Sequence, residues 1–209
     1  MYTLFGAKGS GSAAIEIALE YCGAEYRLVT ASSWEEGSGR DELRRLNPLL
    51  QVPTLVLPDG TVLTESAAIL TCLGLEFPAS GLLSLSPYER ALQLRSLAYI
   101  AANCYAAIGV IDYPERWLPA ANKDQLQHLV NGATSRLYEH WDAFSDVFEN
   151  TSAWRPEEPG AVEILACVVT RWASAREHLQ TSRPGFHAAL LDIDRHAAVC
   201  SVLQRHWGI

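Results

Sequence analysis

The fold of this chain is decided by residues 47–70, NPLLQVPTLVLPDGTVLTESAAIL. Two β-rich runs, Thr54–Leu57 and Thr61–Leu63, are separated by Pro58-Asp59-Gly60, which has the composition and spacing of a hairpin turn. From Glu65 onward, apolar residues recur at intervals of three to four, as they do along a helix. The stretch therefore predicts two antiparallel strands followed by a helix.

A proline directly precedes the first of these strands. In Gln51-Val52-Pro53, the missing N–H of Pro53 would normally be a defect in a strand ladder, so the segment predicts a turn. If the Val52–Pro53 peptide bond is cis, the N–H and C=O of Val52 face solvent and can pair with an extended peptide ligand. The structural alternative is a proline that only ends an edge strand.

The helix after the hairpin begins with Thr64-Glu65-Ser66. The N–H and hydroxyl of Ser66, together with the positive N-terminus of the helix, can bind a carboxylate. Glu65 beside it can hold an ammonium, and a carboxylate and an ammonium on one carbon describe an α-amino-acid end, such as that of a γ-glutamyl group. The structural alternative is that both residues only cap the first turn.

The preceding residues alternate short β-like runs with helical patterns, the rhythm of an α/β unit. The order over residues 1–76 is β-α-β-α-β-β-α. Residues 77–87 are rich in Pro, Gly and Ser, which predicts a linker. Residues 88–209 predict an all-helical domain. The predicted helices of this second part lie at about 87–110, 122–148, 160–178, 186–195 and 196–206.

Composition excludes several classes of protein. The chain has 209 residues, 49% of them apolar, and a formal net charge of −8. That charge argues against a nucleic-acid partner, because Lys and Arg supply most of the affinity for phosphate. The longest uncharged helical stretch, 96–111, is shorter than the roughly 20 apolar residues of a membrane span. The N-terminus lacks the features of a secretory signal, so we expect a cytoplasmic protein.

The cysteines and histidines favour neither disulfides nor metal binding. The five cysteines are odd in number and none is spaced as CxxC, so most are expected to be small buried side chains. No HExxH motif is present, and the pair His187 and His196 has no further ligand at a suitable spacing. The sequence therefore predicts no metal.

The whole chain resembles the cytosolic glutathione transferase superfamily, near its bacterial beta and theta-like classes. The resemblance is strongest at QVPTLVLPDG and LTESAAIL. It implies a thioredoxin-like glutathione-binding domain over 1–76, an all-α domain after the linker, and a homodimer. It also implies that Val52 pairs with the cysteinyl backbone of glutathione, that Pro53 is cis, that Glu65 and Ser66 hold the γ-glutamyl end, and that Gln51 lies near the peptide.

The family keeps the residue that activates the glutathione thiol just before the first helix. A hydroxyl hydrogen bond and a helix N-terminus both favour the thiolate over the thiol. Ser10 and Ser12 can each supply the hydroxyl, and we place Ser10 first; the structural alternative for both is N-capping. Against the beta-class pattern the family's cysteine falls on Gly11, which argues against a mixed disulfide, and against the serine classes the expected serine falls on Gly9.

Two further positions depart from the family. Its Ser/Thr-x-x-Asp cap in the second domain corresponds to Gly160-Ala161-Val162-Glu163, which keeps the acid and replaces the hydroxyl with glycine. No basic residue is clearly placed for the glycyl carboxylate, and the candidates are Trp34, Arg40 and Arg44.

The first long helix of the second domain is expected to face the sulfur of glutathione and to hold a fairly apolar electrophile. The mid-helix amide of Asn103 needs a partner, which could be another helix or a ligand. Aromatic residues at helical spacing are equally typical of a packed core. The candidate pocket residues are Tyr99, Asn103, Tyr105, Tyr113 and Trp117.

The leading interpretation is a soluble glutathione transferase that uses glutathione as co-substrate. The alternatives are a glutathione-dependent reductase, isomerase or thioether lyase, and a non-catalytic glutathione-binding carrier or assembly module. Gly9 and Gly11 lie at the positions where the family has its activating residue, so the non-catalytic carrier is retained as an alternative.

Overall fold

The structure is a computed structural model that describes residues 1–32 and 38–208. Its first part has the predicted β-α-β-α-β-β-α order and forms a thioredoxin-like layer of one sheet and helices. The elements are β1 (Tyr2–Gly6), α1 (Ser12–Tyr21), β2 (Tyr26–Thr30), α2 (Ser38–Leu46), β3 (Thr54–Val56), β4 (Val62–Leu63) and α3 (Ser66–Glu76).

The four strands form one mixed sheet in the order β2-β1-β3-β4. β1 pairs in parallel with β2, with Tyr2 opposite Tyr26, and antiparallel with β3, with Leu4 opposite Leu55. β3 and β4 pair antiparallel around the predicted Pro58-Asp59-Gly60 turn, where Asp59 accepts a hydrogen bond from the Thr61 N–H at 2.8 Å. The hairpin prediction is confirmed.

The second part is helical throughout its described residues, and with the sheet it gives the predicted fold class. A 3₁₀ turn at Pro78–Ser80 leads into it. The elements are α4 (Pro87–Tyr99), a π-helix (Ile100–Tyr105), α5 (Ala106–Asp112), α6 (Pro114–Trp117), α7 (Lys123–Phe148), α8 (Ala161–Val169), α9 (Ala175–Ser182), α10 (Pro184–Asp194) and α11 (Ala197–Trp207). The assignment of residues 77–87 as a domain linker stays a prediction.

Helix α1 joins the two parts. Residues 12–19 are all buried, because the helix packs on β1 and α3 of its own layer and also on α8 and α11. A helix that is apolar on every side belongs in the interior. The loop at residues 7–11 therefore lies where the sheet layer meets the helical part.

The predicted helix at 160–178 is wrong in one respect, because it consists of two helices. α8 ends at Val169, and the Thr170 hydroxyl donates to the Ala166 carbonyl at 2.8 Å. Ala173 and Ser174 then adopt left-handed backbone angles, with φ of 52° and 55°, before α9 begins. No Gly or Pro marks this break, so local pattern could not find it. The short helix α6 was also not predicted.

The start of α8 keeps half of a capping box. The Glu163 carboxylate accepts hydrogen bonds from the N–H of Gly160, at 2.9 Å, and from the N–H of Arg155. A Cβ at Gly160 would lie 2.7 Å from the Leu82 carbonyl oxygen and 3.0 Å from that of Gly81. The capping hydroxyl is therefore replaced by glycine because the chain that leaves the sheet layer passes too close.

By length and composition alone, the helical stretch Pro87–Asp112 is long and apolar enough to cross a membrane. It packs against α7 and α8, and about a third of its most apolar part is buried.

Candidate active site

The turn before β3 forms one wall of the site. The Val52–Pro53 peptide bond is cis, Pro53 is buried, Val52 is half-buried and Gln51 is exposed. The buried Asn47 amide donates to the Gln51 carbonyl at 3.2 Å and to the Thr54 hydroxyl at 3.0 Å. Sequence reasoning missed this role of Asn47, although an Asn before a turn is a common signal for a side chain that bonds to the backbone.

The start of α3 forms the second wall. Glu65 is exposed and adopts φ 66° and ψ 111°, and its side chain makes no capping hydrogen bond. A glutamate in this region of backbone space is uncommon, and such residues concentrate at functional sites. This geometry therefore does not support the alternative that Glu65 only caps the first turn of α3. Ser66 follows it, half-buried, as the first residue of α3.

Ser10, in the loop before α1, and Ser12, the first residue of α1, form a buried network with the backbone of Ala7. The Ser10 hydroxyl donates to the Ala7 carbonyl at 2.7 Å and lies 2.9 Å from the Ser12 hydroxyl. Ser10 is 7% exposed and Ser12 is 0% exposed. The proton of Ser10 is thus held by a carbonyl beneath the surface. Ser10 as the thiol-activating residue stays a prediction, and a thiolate would have to compete with Ala7 for that proton.

The phenol of Tyr105 fills the space above Gly11. A Cβ built on Gly11 would overlap the Tyr105 hydroxyl oxygen and would lie 3.5 Å from Cδ of Pro53. Burial raises the pKa of Tyr105, and the nearby Ser66 hydroxyl opposes that rise. The phenol therefore stays protonated near neutral pH. The three segments predicted to bind glutathione, 10–12, 51–53 and 65–66, meet around this one hydroxyl.

Two tryptophans that sequence reasoning missed lie beside Gly9, in the loop before α1. The Trp172 indole N–H donates to the Gly9 carbonyl at 3.1 Å, and its ring lies 5.6 Å from that of Tyr105. The indole nitrogen of Trp207 lies 3.7 Å from where a Cβ of Gly9 would be. Trp172 follows the unpredicted end of α8, so no local signal linked it to this loop.

The structure does not bring the five candidate pocket residues together. The Tyr99 hydroxyl donates to the His140 carbonyl at 3.1 Å, within an aromatic cluster between α4 and α7. The Asn103 amide donates to the Tyr99 carbonyl at 3.0 Å, so its partner is its own helix. Asn103 and Trp117 line a separate open groove against α7, and the guanidinium of Arg116 lies over the Tyr113 ring.

The three candidates for the glycyl carboxylate lie in different surroundings. Trp34 lies outside the described residues. Arg40 has a buried Nε without a hydrogen-bond partner in the part of the chain that the structure describes. Arg44 is exposed, with its Nη1 3.6 Å from Oδ1 of Asp41. Residues 1–32 and 38–208 contain no group of three or more His, Cys, Asp or Glu side chains arranged to hold a metal.

Comparisons with known proteins agree with this architecture. Residues 12–75 match the family model of the glutathione S-transferase N-terminal domain. The chain is 31% identical over 211 residues to the uncharacterized GST-like protein YncG of Escherichia coli K12, an alignment that covers 99% of this chain and 98% of that protein.

Two solved structures share the whole fold. A glutathione transferase from Methylococcus capsulatus is 26% identical with a TM-score of 0.78, and the match covers 100% of both chains. A glutathione transferase homolog from Sulfitobacter, solved with bound glutathione, is 21% identical with a TM-score of 0.77 and 98% coverage of both chains. The chain belongs to the cytosolic glutathione S-transferase superfamily.

Proposed function

We propose that the protein is a glutathione transferase that joins the sulfur of glutathione to a small, fairly apolar electrophile. The observation that carries the proposal is the meeting of segments 10–12, 51–53 and 65–66 around the Tyr105 hydroxyl. The Sulfitobacter relative of the same fold holds glutathione, which supports glutathione as the co-substrate.

Each segment has a distinct task in this proposal. The backbone of Val52 pairs with the cysteinyl part of glutathione, with Gln51 beside the peptide. The Ser66 N–H and hydroxyl at the start of α3 bind the γ-glutamyl carboxylate, where the helix dipole favours negative charge. The exposed Glu65 carboxylate pairs with the γ-glutamyl ammonium. These contacts fix the peptide so that its thiol lies over the N-terminus of α1.

The reaction then needs a thiolate and a fixed electrophile. The thiol of glutathione loses its proton to solvent, and the sulfur attacks an electrophilic carbon while the leaving group departs. Positioning both reactants in one site contributes to the rate in addition to thiol activation. The electrophile would lie against the helical part near Tyr105.

A test with a chlorinated aromatic separates catalyst from carrier. A transferase should release chloride and form the thioether at a rate that saturates with glutathione. A carrier should bind glutathione in calorimetry without accelerating this reaction. A reductase, isomerase or thioether lyase should bind glutathione and fail with the chlorinated aromatic, while turning over a disulfide, an isomerisable alkene or a thioether, respectively.

Replacing Glu65 and Ser66 together by alanine should abolish most of the affinity for glutathione. Each residue is proposed to make a charge-assisted hydrogen bond, and such bonds contribute about 1.5–3 kcal/mol each. Isothermal titration calorimetry measures the change. Glu76→Ala, an exposed acid at the other end of α3, is the matched control. Unchanged affinity in a folded Glu65→Ala, Ser66→Ala variant would contradict the site.

We also propose a cytoplasmic homodimer. Closed two-fold dimers are the commonest oligomers, and the exposed leucines Leu75 and Leu94 border an apolar groove between α3 and α4. Light scattering should give about twice the subunit mass of 23.0 kDa. Leu94→Arg should shift the protein toward monomer, and Leu191→Arg, with nearly the same exposure, should not. A wild-type species of 23.0 kDa at all concentrations would exclude the dimer.

A further inference from the structure

We propose that Tyr105, a residue of the helical part, is the hydrogen-bond donor that stabilises the glutathione thiolate. This assignment rests on the proposed function, because it requires glutathione to bind at segments 51–53 and 65–66. It differs from the expectation that a hydroxyl at the start of α1, on Ser10 or Ser12, performs this task.

The first argument is position. The side chain of residue 11 would point from the start of α1 toward Pro53, but Gly11 has none. The Tyr105 oxygen occupies that space, with its ring carbon Cζ 3.2 Å from the position of the missing Cβ. A peptide held against Val52 and Ser66 would therefore meet the phenol at the N-terminus of α1.

The second argument is the availability of a proton. The Ser10 hydroxyl already donates to Ala7 at 2.7 Å, and Ser12 is fully buried beneath it. The Tyr105 side chain as a whole is half-buried, and its hydroxyl lies beside Gly11 and near the Ser66 hydroxyl. Because burial raises the pKa of its phenol, Tyr105 remains a donor when a thiolate forms. The phenol keeps its proton and the thiol proton leaves to solvent.

The third argument is how the helix presents the residue. Tyr105 ends the π-helix Ile100–Tyr105, and single π turns inside α-helices occur frequently at functional sites. The ring packs 5.6 Å from Trp172, which is itself held by its hydrogen bond to Gly9. The phenol is thus positioned by neighbours that also fix the loop before α1.

The test is a spectroscopic titration of the thiolate of bound glutathione in wild type and in variants. Tyr105→Phe should raise the midpoint by about one to two pH units, the shift expected for loss of a hydrogen bond to a charged group. It should lower kcat about tenfold to a hundredfold near neutral pH while changing the KM for glutathione little. Tyr88→Phe, which removes an exposed hydroxyl from the same long helical stretch, should leave both quantities unchanged.

The outcomes separate this assignment from the proposed function. If wild type does not bind glutathione, the proposed function fails. If glutathione binds and the midpoint is the same in Tyr105→Phe, only the assignment to Tyr105 is overturned. A rise confined to Ser10→Ala or Ser12→Ala assigns the task to that serine and likewise overturns it.

A second variant tests the same geometry from the other side. The methyl group of Gly11→Ala would overlap the Tyr105 oxygen, so the phenol must move. Gly11→Ala should raise the midpoint in the wild-type background and add little in the Tyr105→Phe background, a non-additivity expected for two residues in contact. Full additivity would overturn the assignment, because the two changes would then act separately.

Discussion

Glu163→Ala should lower the free energy of unfolding by about 2–5 kcal/mol, because it removes the acceptor of two backbone N–H groups, one buried and one part-buried, and a buried N–H left without a partner costs about 1–3 kcal/mol. The carboxylate receives the N–H of Arg155 and of Gly160 and is itself fully buried. It ties the loop before α8 to the first turn of that helix. Denaturant unfolding followed by circular dichroism measures the change.

Two variants serve as controls for Glu163. Glu163→Gln keeps one carbonyl oxygen and replaces the other with an amide donor that faces an N–H, so its loss should be smaller than that of alanine. Glu157→Ala removes an exposed acid from the same loop and should change stability by less than about 0.5 kcal/mol. An alanine variant as stable as Glu157→Ala would refute the role of the carboxylate.

Asp194→Asn should destabilise the protein by about 3–5 kcal/mol, the cost of removing one partner from a largely buried ion pair. The carboxylate at the end of α10 pairs with Arg171 at 2.7 Å and with Arg176, and it accepts the thiol proton of Cys167 at 2.9 Å. Burial raises the pKa of Cys167 to about 12, so the thiol remains a donor. Thermal and denaturant unfolding test the prediction.

The Asp194 carboxylate also makes the free energy of unfolding depend on pH. Burial opposes its ionisation, but the hydrogen bonds from Arg176 and Cys167, together with the positive charges of Arg176 and Arg171, outweigh that effect and hold the pKa of Asp194 below its usual value of 3.8. Its contribution is therefore complete above about pH 4 and is lost as pH falls through the lowered pKa. In Asp194→Asn, the free energy of unfolding should therefore fall less steeply as the pH is lowered through that acid range. Asp192→Asn, an exposed neighbour paired with Arg195, should change neither the stability at neutral pH nor the acid slope.

Local pattern was sufficient for the sheet layer and its turn. The residues around Pro53 and Ser66 are close in sequence, and turn chemistry and helix starts are encoded by a few adjacent residues. The predicted order of elements in residues 1–76 is confirmed for this reason. The acid of Glu163 was also recognisable, because a capping residue lies three positions from the helix start.

The remaining features depend on contacts that no short window contains. Tyr105 reaches Gly11 from the other part of the chain, and Trp172 reaches Gly9 across 163 positions. The break between α8 and α9 occurs at Ala173 and Ser174. Neither residue type prefers left-handed backbone angles, so the sequence gives no local sign of the break. Where tertiary packing decides the conformation, local propensity is overridden.

The π-helix has a consequence for how relatives are aligned. A π turn holds one residue more than an α turn, so it is equivalent to a single insertion in an otherwise ordinary helix. In a relative whose corresponding helix is α-helical throughout, an ungapped alignment would pair Tyr105 with a residue on a different face. A search for this tyrosine in relatives should therefore allow a one-residue gap within positions 100–105. The equivalent residue is the one whose side chain lies opposite Gly11 in the structure, even where an ungapped sequence alignment places another residue there.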